Sequence, residues 1–153
     1  PTPLPPPPTP SIFSSSGPPL PPPPHPSPLP PCPFPPPGLQ GSLLPLNLTP
    51  ATWPELEAAL PHVRPGGTWR PTFCQPLHRV AVLIPYSDRD WHLRVLLQHL
   101  HRLLQKQLLD YSIYVAENIV TSEEFNRGAM FNVGFVEALK DRAFDCVILH
   151  DVD

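Results

Sequence analysis

From Arg79 onward the apolar residues switch repeatedly between two spacings. Arg79-Val80-Ala81-Val82-Leu83-Ile84-Pro85 is a continuous apolar run, as expected of a parallel strand buried on both faces. Pro85 is expected to stop it. Between Trp91 and Leu108 the spacing becomes helical. Leu93, Leu96, Leu97, Leu100, Leu103, Leu104 and Leu108 form one stripe, opposite Arg94, Gln98, Arg102, Gln105 and Lys106. Asp88 or Asp90 is placed to cap this helix. Tyr111 to Ala116 reads as a second strand and 117–124 as a loop. Residues 126–140 read as a second helix, with Met130, Val133, Ala138 and Leu139 as buried candidates and Gly128 and Gly134 as close-packing positions. Phe144 to His150 reads as a third strand. Upstream, Thr52 to Leu60 predicts a short helix: Thr52 caps it, Glu55 completes a capping box, Pro54 lies in the first turn and Pro61 ends it. Gly66-Gly67 after Pro65 marks a turn.

The order after residue 78 is therefore β-α-β-α-β. Helical crossovers make the three strands parallel, which gives an α/β, Rossmann-like half-domain. Open sheets of this kind bind ligands beyond the carboxyl ends of their strands. Three segments must emerge there: 85–89, 117–127 and 150–153.

Composition divides the chain in two. Of 29 prolines, 21 fall in residues 1–38, and no Asp, Glu, Lys or Arg precedes Glu55. Such a segment lacks donors and apolar periodicity, so residues 1–51 are expected to be an extended, disordered Pro-rich stem or linker. Residues 52–153 are the foldable part. A stem of this composition serves as a semi-rigid spacer, an SH3 or WW ligand, or an O-glycosylated stalk. The net charge of −3, with no basic stripe, excludes a nucleic-acid footprint. No apolar run is long enough to span a bilayer. Asn47-Leu48-Thr49 is an N-glycosylation sequon. The cysteines are Cys32, Cys74 and Cys146. Their odd number fits three reduced thiols, or an oxidised protein with one thiol left over.

The polar residues that carry chemistry fall on the presumed ligand edge. Asp151 and Asp153 end the third strand, on one side of it if extended geometry continues through Val152. Two carboxylates there suit a hard divalent cation that also takes phosphate oxygens. Arg89 and Arg127 each stand where the chain enters a helix, and a guanidinium grips a diphosphate in bidentate fashion. Phe125 offers a stacking face for a base. His150 reads equally as a hydrogen-bonding group. There is no Gly-x-Gly-x-x-Gly and no P-loop.

VAVLIPYSDRDWHL (80–93), LLQKQLLDYSIYV (103–115), EFNRGAMFNVGFVEALKD (124–141) and DCVILHDVD (145–153), with the GG-x-W-x-P-x-x-C turn at 66–74, resemble the β-1,4-galactosyltransferase family. The resemblance implies a GT-A nucleotide-diphospho-sugar transferase fold, of which 52–153 is the N-terminal portion. It implies an inverting, Mn²⁺-dependent transfer of galactose from UDP-galactose to a terminal N-acetylglucosamine of a glycan. Pro85, Tyr86, Ser87, Asp88, Arg89, Phe125, Asn126, Arg127, Asp151, Val152 and Asp153 would contact the UDP-sugar, and Asp153 would ligate Mn²⁺. Cys32 would pair with Cys74, and Cys146 with a cysteine past Asp153. The stem would join a Golgi membrane anchor, absent from this chain, to a lumenal domain. Catalytic base and acceptor site would lie beyond Asp153, so the chain alone is expected to be inactive. The family's donor loop carries a basic residue where Ser87 stands, and its Phe-Asn-Arg motif continues Ala-Lys where this chain has Gly128-Ala129. These losses imply an altered donor, such as UDP-GalNAc, or a weak enzyme; within the same fold a xylose-type sugar is an alternative acceptor. A non-catalytic Pro-rich interaction protein is the alternative of another class.

Overall fold

The computed structural model describes residues 28–39, 46–119 and 124–153. Of the disordered stem expected over 1–51, residues 1–27 and 40–45 lie outside the described residues, whereas 28–39 and 46–51 are placed, with a 3-10 turn at Pro37–Leu39. The stem is anchored by a Cys32–Cys74 disulfide and by a backbone exchange in which Cys32 N–H donates to Gln75 O and Gln75 N–H to Pro30 O.

Helix α1 (Trp53–Ala59) starts as its sequence dictates. Thr52 accepts from the Glu55 N–H, and the Glu55 side chain answers at the Thr52 N–H, 2.8 Å away. That reciprocal cap satisfies two donors that a helix start otherwise leaves open. The cap also holds the Glu55 carboxyl below its ordinary range, through the Thr52 backbone hydrogen bond first and its hydroxyl second.

The sheet has four strands in the order β1-β3-β2-β4: β1 (Thr68–Trp69), β2 (Arg79–Tyr86), β3 (Asp110–Glu117) and β4 (Cys146–Leu149). β2 pairs in parallel with both β3 and β4. β1 is an addition to the expected three strands and runs antiparallel to β3. Gly66 and Gly67 create it. Both have positive φ, at +86° and +71°, conformations cheap only for glycine. Their turn swings Thr68 back onto β3, where its hydroxyl meets the Ser112 hydroxyl at 3.0 Å.

Pro85 does not stop β2, which runs one residue further to Tyr86. The pairing explains why. Arg79 O and Leu83 O accept from Asp145 and His150, so alternate residues of β2 turn their backbone groups toward β4. Pro85 belongs to that set but lies beyond Leu83↔Leu149, the last pair with β4, so no partner misses its N–H.

Helix α2 (Asp90–Lys106) covers one sheet face and α3 (Arg127–Asp141) the other. The alternation along β2 divides the core. Val80, Val82 and Ile84 meet Leu93, Leu100 and Leu104 of α2, with Tyr111, Ile113 and Val152. Ala81 and Leu83 meet Ala138 of α3, with Tyr114, Phe131, Phe144 and Val147 partly buried around them. This is the two-sided burial expected of a central parallel strand.

Several expected packing positions are corrected. Gln98 is buried, although the helical pattern assigns it to the solvent face, and Leu103 is 48% exposed. Leu108 lies past the end of α2, in a left-handed turn with φ +55°. Neither Asp88 nor Asp90 caps α2. Its N-cap is Arg89, without a side-chain cap bond, and Asp90 is already in the first turn. In α3 the buried residues are Gly134 and Ala138, whereas Val133 and Leu139 are about half exposed. Gly134 is buried against the sheet, but a Cβ there would sit 3.7 Å from Ala116 Cβ and 3.8 Å from Leu83, ordinary contact rather than a close approach that only glycine allows. Gly128 is exposed, with only its neighbour's Asn126 side chain nearby.

Candidate donor-binding site

Strand order fixes where a ligand cleft forms. The connection from β2 through α2 goes to β3 on one side of β2. The connection from β3 through α3 returns across β2 to β4 on the other. The order reverses between β2 and β4, with the α2 connection on one face of the sheet and the α3 connection on the other, and a crevice forms at the carboxyl ends there. A cleft of about 390 Å³ lies there, lined by Pro85, Ser87, Arg89, Phe125, Arg127, Asp151, Val152 and Asp153.

Val152 makes the acidic motif legible as geometry. Its side chain is 8% exposed and joins the α2-side core. Its neighbours Asp151 and Asp153 both line the cleft. Each carboxylate has a guanidinium partner from a different segment. Arg89 Nη1 lies 2.5 Å from Asp153 Oδ2, and Arg127 Nη2 lies 2.6 Å from Asp151 Oδ2. All four side chains are about half exposed, so these pairs are solvated and worth at most about 1 kcal/mol each. They are exchangeable partners rather than a locked network. Arg127 also lies over the Phe131 ring, 5.3 Å from its centroid, which orients the guanidinium.

The remaining residues of the sequence-derived set serve at the margin. Asn126 caps α3: its Oδ1 accepts from the Ala129 N–H at 2.9 Å, which sets the angle at which Arg127 enters the cleft. Tyr86 packs partly buried against the α2-side core, and its O accepts from Asn118 N–H. Desolvation pushes its phenol up, with the Asp90 and Glu117 carboxylates adding to the shift. Asp88 takes the left-handed conformation, φ +47°, that turns the chain from β2 into α2. Asp88, Tyr86 and Asn126 are not among the cleft-lining residues. His150 Nδ1 lies 2.5 Å from Asp151 O, a contact in which that nitrogen must donate.

A supporting group behind Arg89 was not anticipated. Asp90 accepts from Trp53 Nε1 at 3.1 Å and from Arg94 Nε at 2.8 Å, and Arg94 Nη1 donates to Ala51 O at 2.8 Å. This clasp ties α1 to the start of α2. The i, i+4 spacing of Asp90 and Arg94 is the one sequence signal that pointed to part of it.

Among the described residues, no three His, Cys, Asp or Glu side chains gather as a metal cluster. The donors in the cleft are carboxylate oxygens, the ligand type that a hard divalent cation takes, and such ions commonly complete their shell with phosphate and water. The carboxylates of Asp151 and Asp153 are thus of the donor type that such a cation takes.

Residues 32–153 match the family described as the N-terminal region of glycosyl transferase group 7. The chain belongs to that family. Among its relatives, the beta-1,4-galactosyltransferase 6 of Rattus norvegicus is 55% identical over 91 residues, covering 60% of this chain and 24% of the relative. The beta-1,4-galactosyltransferase 4 of Cricetulus griseus is 45% identical over 117 residues, covering 76% of this chain and 33% of the relative. A Lymnaea stagnalis protein, beta-N-acetyl-D-glucosaminide beta-1,4-N-acetylglucosaminyl-transferase, is 45% identical over 118 residues, covering 77% of this chain and 24% of the relative. The chain thus spans about a quarter to a third of the length of these curated relatives. In this chain the matched stretch carries the Rossmann-like α/β half-domain described above.

Proposed function

We propose that this chain is the donor-binding half of a β-1,4-galactosyltransferase, which moves galactose from UDP-galactose to a terminal N-acetylglucosamine with inversion. The observation that carries the reading is the meeting of Arg89, Arg127, Asp151 and Asp153 at one cleft on the switch-point edge. Arg89 and Arg127 are the diphosphate contacts, exchanging their present carboxylate partners for phosphate oxygens of equal or greater charge. Phe125 offers its exposed ring to the uracil. Pro85, Ser87 and Val152 shape the floor, and Tyr86, Asp88 and Asn126 hold the loops that carry the arginines. Asp153 holds Mn²⁺, which when bound neutralises charge on the departing UDP. The acceptor hydroxyl must be deprotonated by a base that these residues do not provide. Activity accordingly belongs to the longer protein, and residues 1–153 by themselves do not turn over.

The donor sugar has a second reading. The cleft wall holds Ser87 and no third cation, and the Lymnaea stagnalis relative is named as an N-acetylglucosaminyl-transferase. An N-acetylhexosamine donor, UDP-GalNAc or UDP-GlcNAc, fits these observations. Competition among the three UDP-sugars in a transfer assay on the full-length protein separates the readings: galactose transfer dominates under the first, N-acetylhexosamine transfer under the second. No transfer from any of them, with Mn²⁺ and a glycan acceptor present, contradicts both.

The Cys32–Cys74 disulfide supports passage through an oxidising compartment, in keeping with a Golgi lumenal protein. No helix among the described residues is long and apolar enough to cross a membrane.

A further inference from the structure

Asn47-Leu48-Thr49 is the one Asn-X-Ser/Thr triplet in the sequence, and its central residue is not proline. The structure gives it the properties of an acceptor. All three residues are exposed and lie outside any helix or strand. Asn47 Oδ1 accepts the Thr49 N–H at 3.0 Å, so the carboxamide is held through its oxygen, in an Asx turn, and its nitrogen takes no part in that bond. The Asn47 backbone is pinned: its carbonyl O lies 2.8 Å from His99 Nε2 on α2. An independent feature supplies the compartment. The Cys32–Cys74 bond forms only where thiols oxidise, and that route is also the one along which asparagine side chains meet lipid-linked glycans.

We propose that Asn47 carries an N-linked oligosaccharide. In the transfer, Asn47 Nδ2 attacks the anomeric carbon of a polyprenyl-diphosphate-linked oligosaccharide. A C–N bond forms and the C–O bond to the diphosphate breaks. The polyprenyl diphosphate leaves, and the amide proton passes to a base of the transferring enzyme. Oxidation states do not change.

Position gives the glycan a role. Leu46 and Leu48 flank the site and are 66% and 58% exposed, an apolar pair at the junction of stem and domain that a sugar chain shields. The cleft is distant from it. Helix α2 starts beside the cleft at Asp90 and runs away from it, so His99 stands about 13 Å further along the axis at ~1.5 Å per residue. The glycan therefore leaves donor binding untouched. The proposal does not depend on the transferase reading, since a non-catalytic secretory protein would carry the same sugar.

The test is site mapping on the full-length protein produced in a eukaryotic secretory cell. After enzymatic removal of N-glycans in heavy-oxygen water, the Asn47 peptide is expected as labelled aspartate. Leu48→Pro and Thr49→Ala each lose the mass of one glycan on a gel, whereas Thr49→Ser keeps it. Asn47→Gln leaves the affinity for UDP unchanged. Recovery of the Asn47 peptide as unmodified asparagine, from protein whose Cys32–Cys74 bond has formed, overturns the proposal. Equal mobility of wild type, Leu48→Pro and Thr49→Ala does the same. If Leu48→Pro does not fold, Thr49→Ala and the peptide map still decide.

Discussion

The two faces of the sheet are built differently. On the α2 side Leu93, Leu100 and Leu104 are 6%, 7% and 2% exposed, and they close over β2 and β3 as a finished layer. On the α3 side the helix sits on the sheet through Gly134 and Ala138, while Val133, Val136 and Leu139 stay about half exposed. Leu149 at the sheet edge is 60% exposed, and with Phe131, Asn132, Phe135 and Val147 it lines a second cleft of about 360 Å³. The contrast teaches where stability and ligand chemistry reside. The α2 face anchors β2, whose end carries the cleft-lining Pro85, Ser87 and Arg89. The α3 face holds Arg127 in position with small-residue packing and leaves an apolar surface of the kind that other protein covers.

The sharpest way to break this comparison is to truncate one leucine on each face. Leu104→Ala is expected to cost about 2–5 kcal/mol, because it opens a cavity in a closed layer. Leu139→Ala is expected to cost under about 0.5 kcal/mol, because the side chain is already half in water. Urea titrations of both variants measure the difference, and equal midpoint shifts would erase the distinction between the faces.

The α2 layer also contains the fold's main pH liability. His101 is buried with its Nδ1 2.8 Å from Tyr111 OH, and desolvation lowers its pKa to about 4. The same burial pushes the Tyr111 phenol up to about 12. Unfolded His titrates near 6.5, so between about pH 6.5 and 4 the unfolded chain binds the extra proton. Stability is therefore fully present above about pH 6.5 and falls as pH drops through that window. The loss is on the order of 3 kcal/mol by pH 4. His101→Gln is expected to flatten this slope in denaturant midpoints measured across pH. A slope unaltered by the substitution assigns the acid sensitivity elsewhere.

The smallest effect lies at the α3 seat. A Cβ at Gly134 meets Ala116 and Leu83 at ordinary contact distance. Gly134→Ala should therefore gain about 0.4–1 kcal/mol by lowering the entropy of the unfolded chain. A thermal melt that moves down instead would mean that the helix has no room on the sheet.

The asymmetry between the faces also explains what the sequence revealed. β2, α2, β3 and α3 were legible to within one or two residues because each is a long run of one period. β1 was not, because two residues carry no period and the Gly66-Gly67 turn that makes it announces only a bend. On α3 the burial of Ala138 was legible, but Val133 and Leu139 were wrongly placed inward, because a helix apolar on several sides does not declare its seat. Gln98 looked exposed because polarity is visible in sequence and tertiary burial is not. In the cleft, the position of Asp151 and Asp153 at a strand end was legible. Their pairing with Arg127 and Arg89, 24 and 64 residues away, was not. The Asp90 clasp with Trp53 and Arg94 likewise closes only in three dimensions.

The proposed function requires the switch-point cleft to hold a nucleotide diphosphate beside a metal carboxylate. Isothermal titration of UDP into the full-length protein, with and without Mn²⁺, tests it directly when repeated on Asp153→Asn and Arg127→Gln. The account predicts binding strengthened by Mn²⁺, loss of that strengthening in Asp153→Asn, and roughly tenfold or greater weakening in Arg127→Gln, as befits a charge-assisted contact of about 1.5–3 kcal/mol. UDP affinity indifferent to Mn²⁺ and to both substitutions would contradict it.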